Sequence, residues 1–372
     1  MIRGRLMVET EQPAPGAIRI EAGVARSFVT RLFQALGVGS NESDLVAEVL
    51  VSADLRGIRS HGLARVPYFL IRLHRGVIDP HPEMSFTART PTTGVLDAGN
   101  GIGIIAADRA MTEAMAMASE QGSGFVVVKD SSHFGYAGFW AERAMRAGMI
   151  GISMSNSGGR VAPTYGAGSV LGTNPLAVAI PGSASGTDFL LDMATSAVAV
   201  GKVETALREG RDLPPGWVVK STKPLPGLDE NGVLSFDSPL LPLGGEGTET
   251  GGHKGYGLAL MVELLCGALG GTGFQARIEG AGGAAPPAMG HFMGAIQVEG
   301  FRSTEEVNED MEETFALIRG SEKSPGQDRI YIHGEPEAIA VEENLKTGVP
   351  LDPTLKGLLD DWAARLSIEP LS

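Results

Sequence analysis

Apolar residues recur four apart at Val24, Phe28, Leu32 and Leu36, which predicts an amphipathic helix that stops at Gly37. Val46, Val49, Leu50 and Ala53 predict a second helix, with Asn41 or Ser43 as its cap. A third runs over about 63–73. The character changes after Pro80 and Pro82: 84–89 and 95–97 have strand patterns, and 104–119 has helical spacing with Ala107, Met111, Ala114 and Ala118 inward. The β-branched run at 125–128 predicts a buried strand. Ser131 and Ser132 then offer cap chemistry for a helix over 136–147, and a second apolar run follows at 149–154. Further strands are expected at 176–180, 189–191 and 292–298. Helices are expected at 197–208, 254–269, from Thr304 (Val307, Met311 and Phe315 inward) and at 355–366. The stretch 212–250 is rich in Pro and Gly and reads as a long excursion with one hairpin around Asn231-Gly232.

Both ends are thus helical and the middle is α/β. That symmetry predicts a discontinuous helical domain, 1–80 with 302–372, around an inserted α/β domain, 81–301. Residues 1–16 read as an extended arm and 280–288 as a Gly/Ala/Pro loop. No internal repeat is present.

Composition narrows the possible partners. The chain has 372 residues, 43% of them hydrophobic and 20% charged, enough for about two domains with a sizeable core. A formal net charge of −14 argues against nucleic acid or an anionic membrane as partner. Any anionic ligand needs a local cluster of positive charge. The single cysteine, Cys266, excludes an intrachain disulfide and lies in an apolar helical pattern, which suits a buried inert thiol. Arg3 and Arg5 have no apolar stretch behind them. The apolar stretch 256–269 is too short for a bilayer and contains Glu263, so a cytoplasmic protein is expected.

Two glycine patterns resemble nucleotide motifs and fail on inspection. Gly99, Gly101 and Gly103 follow a strand, but the third falls one residue early, and Asp130 comes later than the roughly 20 residues that a dinucleotide fingerprint requires. Gly247, Gly252 and Lys254 resemble a phosphate loop, but His253 intrudes and no Ser or Thr follows Lys254. The seven histidines show no H-x-x-x-H spacing and C-x-x-C is absent, so no metal is expected from local motifs.

More informative is Ser60-His61 followed by Arg65. A histidine with an ordinary pKa near 6.5 exchanges a proton at neutral pH, and a neighbouring serine fixes its ring. An arginine one turn on grips a carboxylate through two parallel hydrogen bonds. The set suits a small acid whose next carbon carries a hydroxyl or carbonyl. A plainer account of the same residues has Ser60 capping a helix, His61 packing and Arg65 solvated. The strand-to-helix handover around His133-Phe134-Gly135 offers free backbone N–H groups for a phosphate or carboxylate, or simply a capped turn with Phe134 in the core. Thr173 and Asn174 lie on a tight turn before a strand, Asp192-Met193-Ala194-Thr195 end another, and Lys254 opens a helix whose dipole does not favour it.

These pieces resemble, in their order, the malate/L-lactate dehydrogenase family that is unrelated in fold to Rossmann-type enzymes. That family includes L-sulfolactate and ureidoglycolate dehydrogenases, diketogulonate reductases and Δ1-piperideine-2-carboxylate reductases. The matching segments are RSHGLARVPYF, DAGNGIGIIAADRAM, SSHFGYAGFWAERA, LGTNPLAVAIP, LDMATSAVAVGKV, HKGYGLALMVELLCG, GHFMGAIQV and GEPEA. The resemblance implies a mixed, largely antiparallel sheet, NAD or NADP as cofactor, oxidation of a 2-hydroxy acid or reduction of a 2-oxo or cyclic imino acid, and a homodimer. It implies His61 as proton donor and acceptor, with Ser60 orienting it and Arg65 and Thr173 on the substrate. It puts His133, Phe134, Gly135, Ala137, Asp192, Met193, Ala194 and Lys254 at the cofactor. Some members give the proton transfer to the histidine of the HFG motif, here His133. The chain departs from the family after Gly216-Trp217, in the EGTETGG insertion and in its longer N-terminal arm, so these loops bear on substrate identity. A nucleotide-dependent transferase and an inactive binding protein are the rival classes. Ser60, His61, Arg65 and Lys254 standing together argue against loss of activity.

Overall fold

The computed structural model describes residues 16–371 except 183–187, 209, 221–223, 229–233, 236–237 and 275–287. Strand β1 (Ile18–Ile20) leads into helices α1 (Ala22–Ala35), α2 (Ser40–Leu55) and α3 (Val66–His74). The α/β portion follows as β2 (Ser85–Thr90), β3 (Thr93–Asp97), α4 (Gly103–Gln121), β4 (Ser123–Ser131), α5 (Ala137–Arg146), β5 (Met149–Ser155), β6 (Leu176–Ile180) and β7 (Phe189–Met193). Then come α6 (Val200–Arg208), the short pair β8 (Gly227–Leu228) and β9 (Leu234–Ser235), α7 (Gly252–Glu263) and β10 (Met289–Gln297). The chain ends with α8 (Thr304–Gly320), α9 (Glu335–Thr347), β11 (Val349–Leu351) and α10 (Pro353–Arg365).

Seven strands form one mixed sheet in the order β2-β3-β4-β10-β5-β6-β7. Only β3 and β4 pair in parallel; every other neighbouring pair is antiparallel. Both β4 and β5 would be parallel neighbours in a doubly wound sheet. Here β10 separates them, antiparallel to each, which is why no proper dinucleotide fingerprint was found. The ladder aligns Ser131 with Met289, Ser155 with His291, and Leu176 with Met193. One end of the sheet therefore gathers the last residues of β4, β5 and β7 with the first of β6 and β10.

The termini meet. β1 pairs antiparallel with β11, from Ile18–Leu351 to Ile20–Val349. Asn344 of α9 donates to the Leu55 carbonyl at 2.9 Å and accepts from Arg19 at 2.8 Å, closing the backbone at the end of α2. His74 and Trp362 meet edge to face, joining α3 to α10. One continuous cluster of buried side chains runs from Phe28, Phe33 and Phe69 through Leu96, Ile104 and Trp140 to Leu359 and Trp362. α8 adds no residue to it: Phe315 is the helix's one buried residue and stands apart from this cluster, and Val307 and Met311 are only half-buried.

Local details differ from the sequence expectations. Val24 is exposed and α1 buries Ala25, Phe28, Val29, Leu32 and Phe33 instead. Asn41 and Ser43 lie inside α2; the buried Ser43 hydroxyl donates to the Val38 carbonyl rather than capping. The expected helix over 63–73 opens as a single 3-10 turn, Leu63–Arg65, and continues as α3, which carries Pro67 in its first turn; a separate 3-10 turn, Arg59–His61, precedes it. Ser131 ends β4 and Ser132 follows it, but neither caps α5, which begins only at Ala137; the Ser132 hydroxyl instead accepts the Gly103 N–H at the start of α4. The turn of the expected hairpin at Asn231-Gly232 and most of the loop over 280–288 lie outside the described residues.

Candidate active site

The turn after α2 carries the first cluster. Ser60 Oγ and His61 Nδ1 are 2.9 Å apart, and Arg65 Nε–H donates to the Ser60 carbonyl at 2.8 Å. The arginine thus folds back over the serine–histidine pair from its own turn. The ring of His133 stands 5.4 Å from that of His61, tilted by 35°. His133 lies in the loop between β4 and α5, and the two loops bring the two candidate histidines face to face. Tyr68 and Phe69 of α3 complete the wall, with ring centroids 5.7 and 6.1 Å from His133.

The electrostatics of this cluster correct one expectation. His61 is half-buried, and desolvation, then the Arg65 charge, pushes its pKa down to about 3. Burial, Arg65 and His61 likewise hold His133 well below the ordinary histidine value. Both rings are therefore neutral at pH 7 in the free protein, not partly protonated as a reference pKa near 6.5 implies. The Gly135 N–H donates to His133 Nδ1 at 3.1 Å, which occupies that lone pair and places the His133 hydrogen on Nε2. His61 is different: the Ser60 hydroxyl rotates to donate or accept, so Nε2 of His61 is free to take or give a proton.

Two residues that the sequence reading missed belong here. Arg72 stacks over the Tyr68 ring at 3.7 Å, and its charge reaches both Tyr68 and His133. Tyr68 meets the His133 backbone through its hydroxyl, and burial raises its pKa. Among the described residues, neither Arg65 nor Arg72 is paired with a carboxylate. In sequence Arg72 follows Arg65 by seven residues, but Arg65 lies on the 3-10 turn before α3 and Arg72 within that helix, so spacing alone did not join them.

A second cluster closes the same end of the sheet. The Thr173 carbonyl accepts from the backbone and the hydroxyl of Thr195, at 2.9 and 3.0 Å, and the Thr173 N–H donates to Ser157 Oγ at 3.1 Å. Beneath them the buried Glu263 carboxylate accepts from Asn156 at one oxygen and Asn174 at the other, both at 3.0 Å. Asn156 in turn accepts from the Gly290 N–H, and Asn174 donates to the Ala259 carbonyl. One acid of α7 thereby ties together the loops after β5 and before β6 and the start of β10. Its only sequence signal was an acid inside an apolar helix.

The residues expected at the cofactor divide. Asp192 accepts from the Gly138 N–H at 2.8 Å, so its carboxylate occupies the N-terminus of α5, where the sequence suggested an open anion site. Burial pushes the Asp192 pKa up to about 6. Phe134 is buried and stacks on His291 at 4.7 Å, so its side chain packs against the core. His291 itself is fully buried, with Ser155 and Ser131 each 2.9 Å from a ring nitrogen. Burial holds its pKa near 3, and it is a satisfied structural residue. Gly135 lies in the loop before α5 and Ala137 is the first residue of that helix; Met193 is the last residue of β7 and Ala194 follows it. Lys254 is exposed in the first turn of α7, the helix that carries Ala259 and Glu263. Of the residues expected at the cofactor, Phe134 and Asp192 thus make their contacts within the protein itself. Cys266 is buried in a π-helical turn, Leu264–Ala268, and burial pushes its thiol pKa far up, as an inert thiol requires. Among the described residues no group of three or more His, Cys, Asp or Glu could hold a metal ion, and no helix is long and apolar enough to cross a membrane.

Known proteins share this arrangement over nearly the whole chain. The family model described as malate/L-lactate dehydrogenase matches residues 20–359. A malate dehydrogenase of Pyrococcus abyssi is 40% identical over 354 residues, 95% of this chain and 96% of that protein. An L-sulfolactate dehydrogenase of Methanocaldococcus jannaschii is 34% identical over 92% of this chain and 96% of its own length. The solved malate dehydrogenase from Pyrococcus horikoshii superposes with a TM-score of 0.85 at 35% identity, covering 96% of this chain and 98% of that one. A mixed sheet in place of a doubly wound one, the Ser60-His61 turn and this collinear likeness converge: the chain belongs to the malate/L-lactate dehydrogenase family, whose members are oxidoreductases acting on 2-hydroxy acids.

Proposed function

We propose that the protein interconverts a 2-hydroxy acid and its 2-oxo acid with NAD or NADP, using His61 as proton donor and acceptor. The observation that carries this reading is the Ser60–His61–Arg65 turn, in which one hydrogen bond orients the ring and another aims the guanidinium. A bound nicotinamide supplies or accepts the hydride. Arg65 holds the C1 carboxylate, and Thr173 is assigned as a second substrate contact. In oxidation the C2 hydroxyl proton passes to Nε2 of His61, which is neutral and ready. In reduction His61 must first be protonated. The substrate carboxylate assists, because it offsets the Arg65 charge that helps to keep His61 neutral. His133 is the weaker candidate for this role, since its one lone pair is already taken by Gly135. A homodimer and a cytoplasmic location belong to the same reading; sedimentation as a monomer at micromolar concentration removes the first.

The unpaired Arg65 and Arg72 favour a substrate with two anionic groups, such as malate or sulfolactate, over lactate. Arg72→Met is expected to raise KM for the dianionic acid about tenfold, the loss of one charge-assisted contact, and to leave KM for lactate nearly unchanged. Arg65→Lys weakens both, because lysine lacks the bidentate grip. A panel of 2-oxo and cyclic imino acids scored by NAD(P)H consumption tests the assignment. A clear preference for an imino acid or for ureidoglycolate turnover sinks it.

Lys254 is assigned to the cofactor phosphates. Lys254→Ala should raise the cofactor KM while thermal unfolding stays within a degree or so, as for an exposed side chain. Unchanged kinetics return Lys254 to the solvated surface.

A further inference from the structure

Ser60 and His61 sit on a single 3-10 turn, Arg59–His61, which offers little rigidity of its own. Its backbone bonds are His61 N–H to Ile58 and Gly62 N–H to Arg59, at 3.0 and 3.2 Å. Proton transfer needs more than this, since a misplacement of about 1 Å costs on the order of 10²-fold in rate.

Two groups outside the turn press on it from different elements. Asp54, in the last turn of α2, is buried, and its carboxylate accepts the Leu63 N–H at 2.7 Å, just beyond the histidine. That carboxylate occupies the space beside Gly62: a Cβ there would stand 2.1 Å from one Asp54 oxygen and 2.2 Å from its carboxyl carbon. The second group is the backbone of α6. A Cβ on Gly201 would stand 2.3 Å from the Ser60 Cβ, so the helix lies directly against the serine that orients His61. α6 follows the strand end that bears Asp192, Met193 and Ala194.

We propose that Asp54 and Gly201 are positioning residues that hold the Ser60–His61 pair in its proton-transfer geometry. This rests on the reading of His61 as the proton donor and acceptor. Neither residue touches substrate. Asp54 sets the path of the backbone behind the histidine, and Gly201 sets the Ser60 side chain through contact.

The test is a double-mutant cycle with a spectroscopic arm. Gly201→Ala is expected to lower kcat about 10–100-fold, the cost of a misplacement of this size, with NADH affinity measured by fluorescence little changed. In a Ser60→Gly background the clash partner is gone, and adding Gly201→Ala should change kcat less than about twofold. Asp54→Asn, which keeps an acceptor oxygen for Leu63, should stay within a few-fold of the parent, whereas Asp54→Ala falls with Gly201→Ala. In protein with ¹⁵N-labelled histidine, the His61 ring nitrogens (assigned by their loss in His61→Asn) should shift in Gly201→Ala while those of the buried His291 do not. Additive effects of Ser60→Gly and Gly201→Ala, or unmoved His61 resonances in Gly201→Ala, overturn the proposal. Should His61→Asn keep its turnover, the proton role is lost, yet the ring-nitrogen shifts still decide whether Gly201 positions His61.

Discussion

Replacing His61 by Asn lowers kcat by about 10²–10⁴, the usual worth of a general acid–base, and leaves NADH binding by fluorescence intact. Asparagine keeps a polar group of similar reach but has no site that gains and loses a proton near neutrality. The pH dependence adds a sign. Oxidation needs neutral His61, and its pKa in the free protein is held near 3 by burial and Arg65. The acid limb of kcat/KM for the hydroxy acid therefore lies well below 6.5, and activity persists at pH values where an ordinary histidine would be protonated. An acid limb at 6.5 contradicts the environment described for His61. Full turnover in His61→Asn, with turnover abolished in His133→Asn while cofactor still binds, transfers the proton role to His133.

Glu263→Ala is expected to be the most damaging change to the fold near the site. It strips the acceptor from two buried amides, Asn156 and Asn174, each of which then carries a desolvated donor. At roughly 1–3 kcal/mol for each unsatisfied group, the loss is about 2–6 kcal/mol, before the cavity is counted. Glu263→Gln is milder, because its carbonyl oxygen still accepts one amide while its own amide group faces the other. The midpoint of denaturant unfolding at constant m-value measures both. A shift below about 0.5 kcal/mol for Glu263→Ala, the level of an ordinary surface change, would show that the network holds nothing.

Much of the local structure was legible in sequence because strands and helices of this chain keep their own periods. The runs at 125–128, 149–154 and 176–180 are β4, β5 and β6, and the spacing of Ala107, Met111, Ala114 and Ala118 is the buried face of α4. The nearness of Ser60, His61 and Arg65 was legible because they lie within a few residues of each other, on two successive turns. Pairings across long separations were not. Nothing in the text of the chain says that Asp192 caps α5 through Gly138, or that Glu263 bridges Asn156 and Asn174. Ser131 and Ser132 looked like caps because serine is good at capping. Tertiary structure used Ser131 to satisfy His291, and Ser132 to bond the backbone of Gly101 and Gly103. The pKa of His61 was illegible too, since it is set by burial rather than by residue type.

The place of β10 has a consequence for how the chain comes to be folded. His291 pairs with Ser155 across 136 residues, and β10 bonds along its length to both β4 and β5. During synthesis both of those strands are complete long before their common partner exists, and each then presents an open apolar edge. Such edges accept any strand that is available, including those of other nascent chains. A chain cut short before residue 289 should therefore aggregate rather than yield a smaller soluble unit. In the whole protein, closing the sheet across so long a loop makes folding slow, and leaves the center of the sheet the last part to become safe from its neighbours.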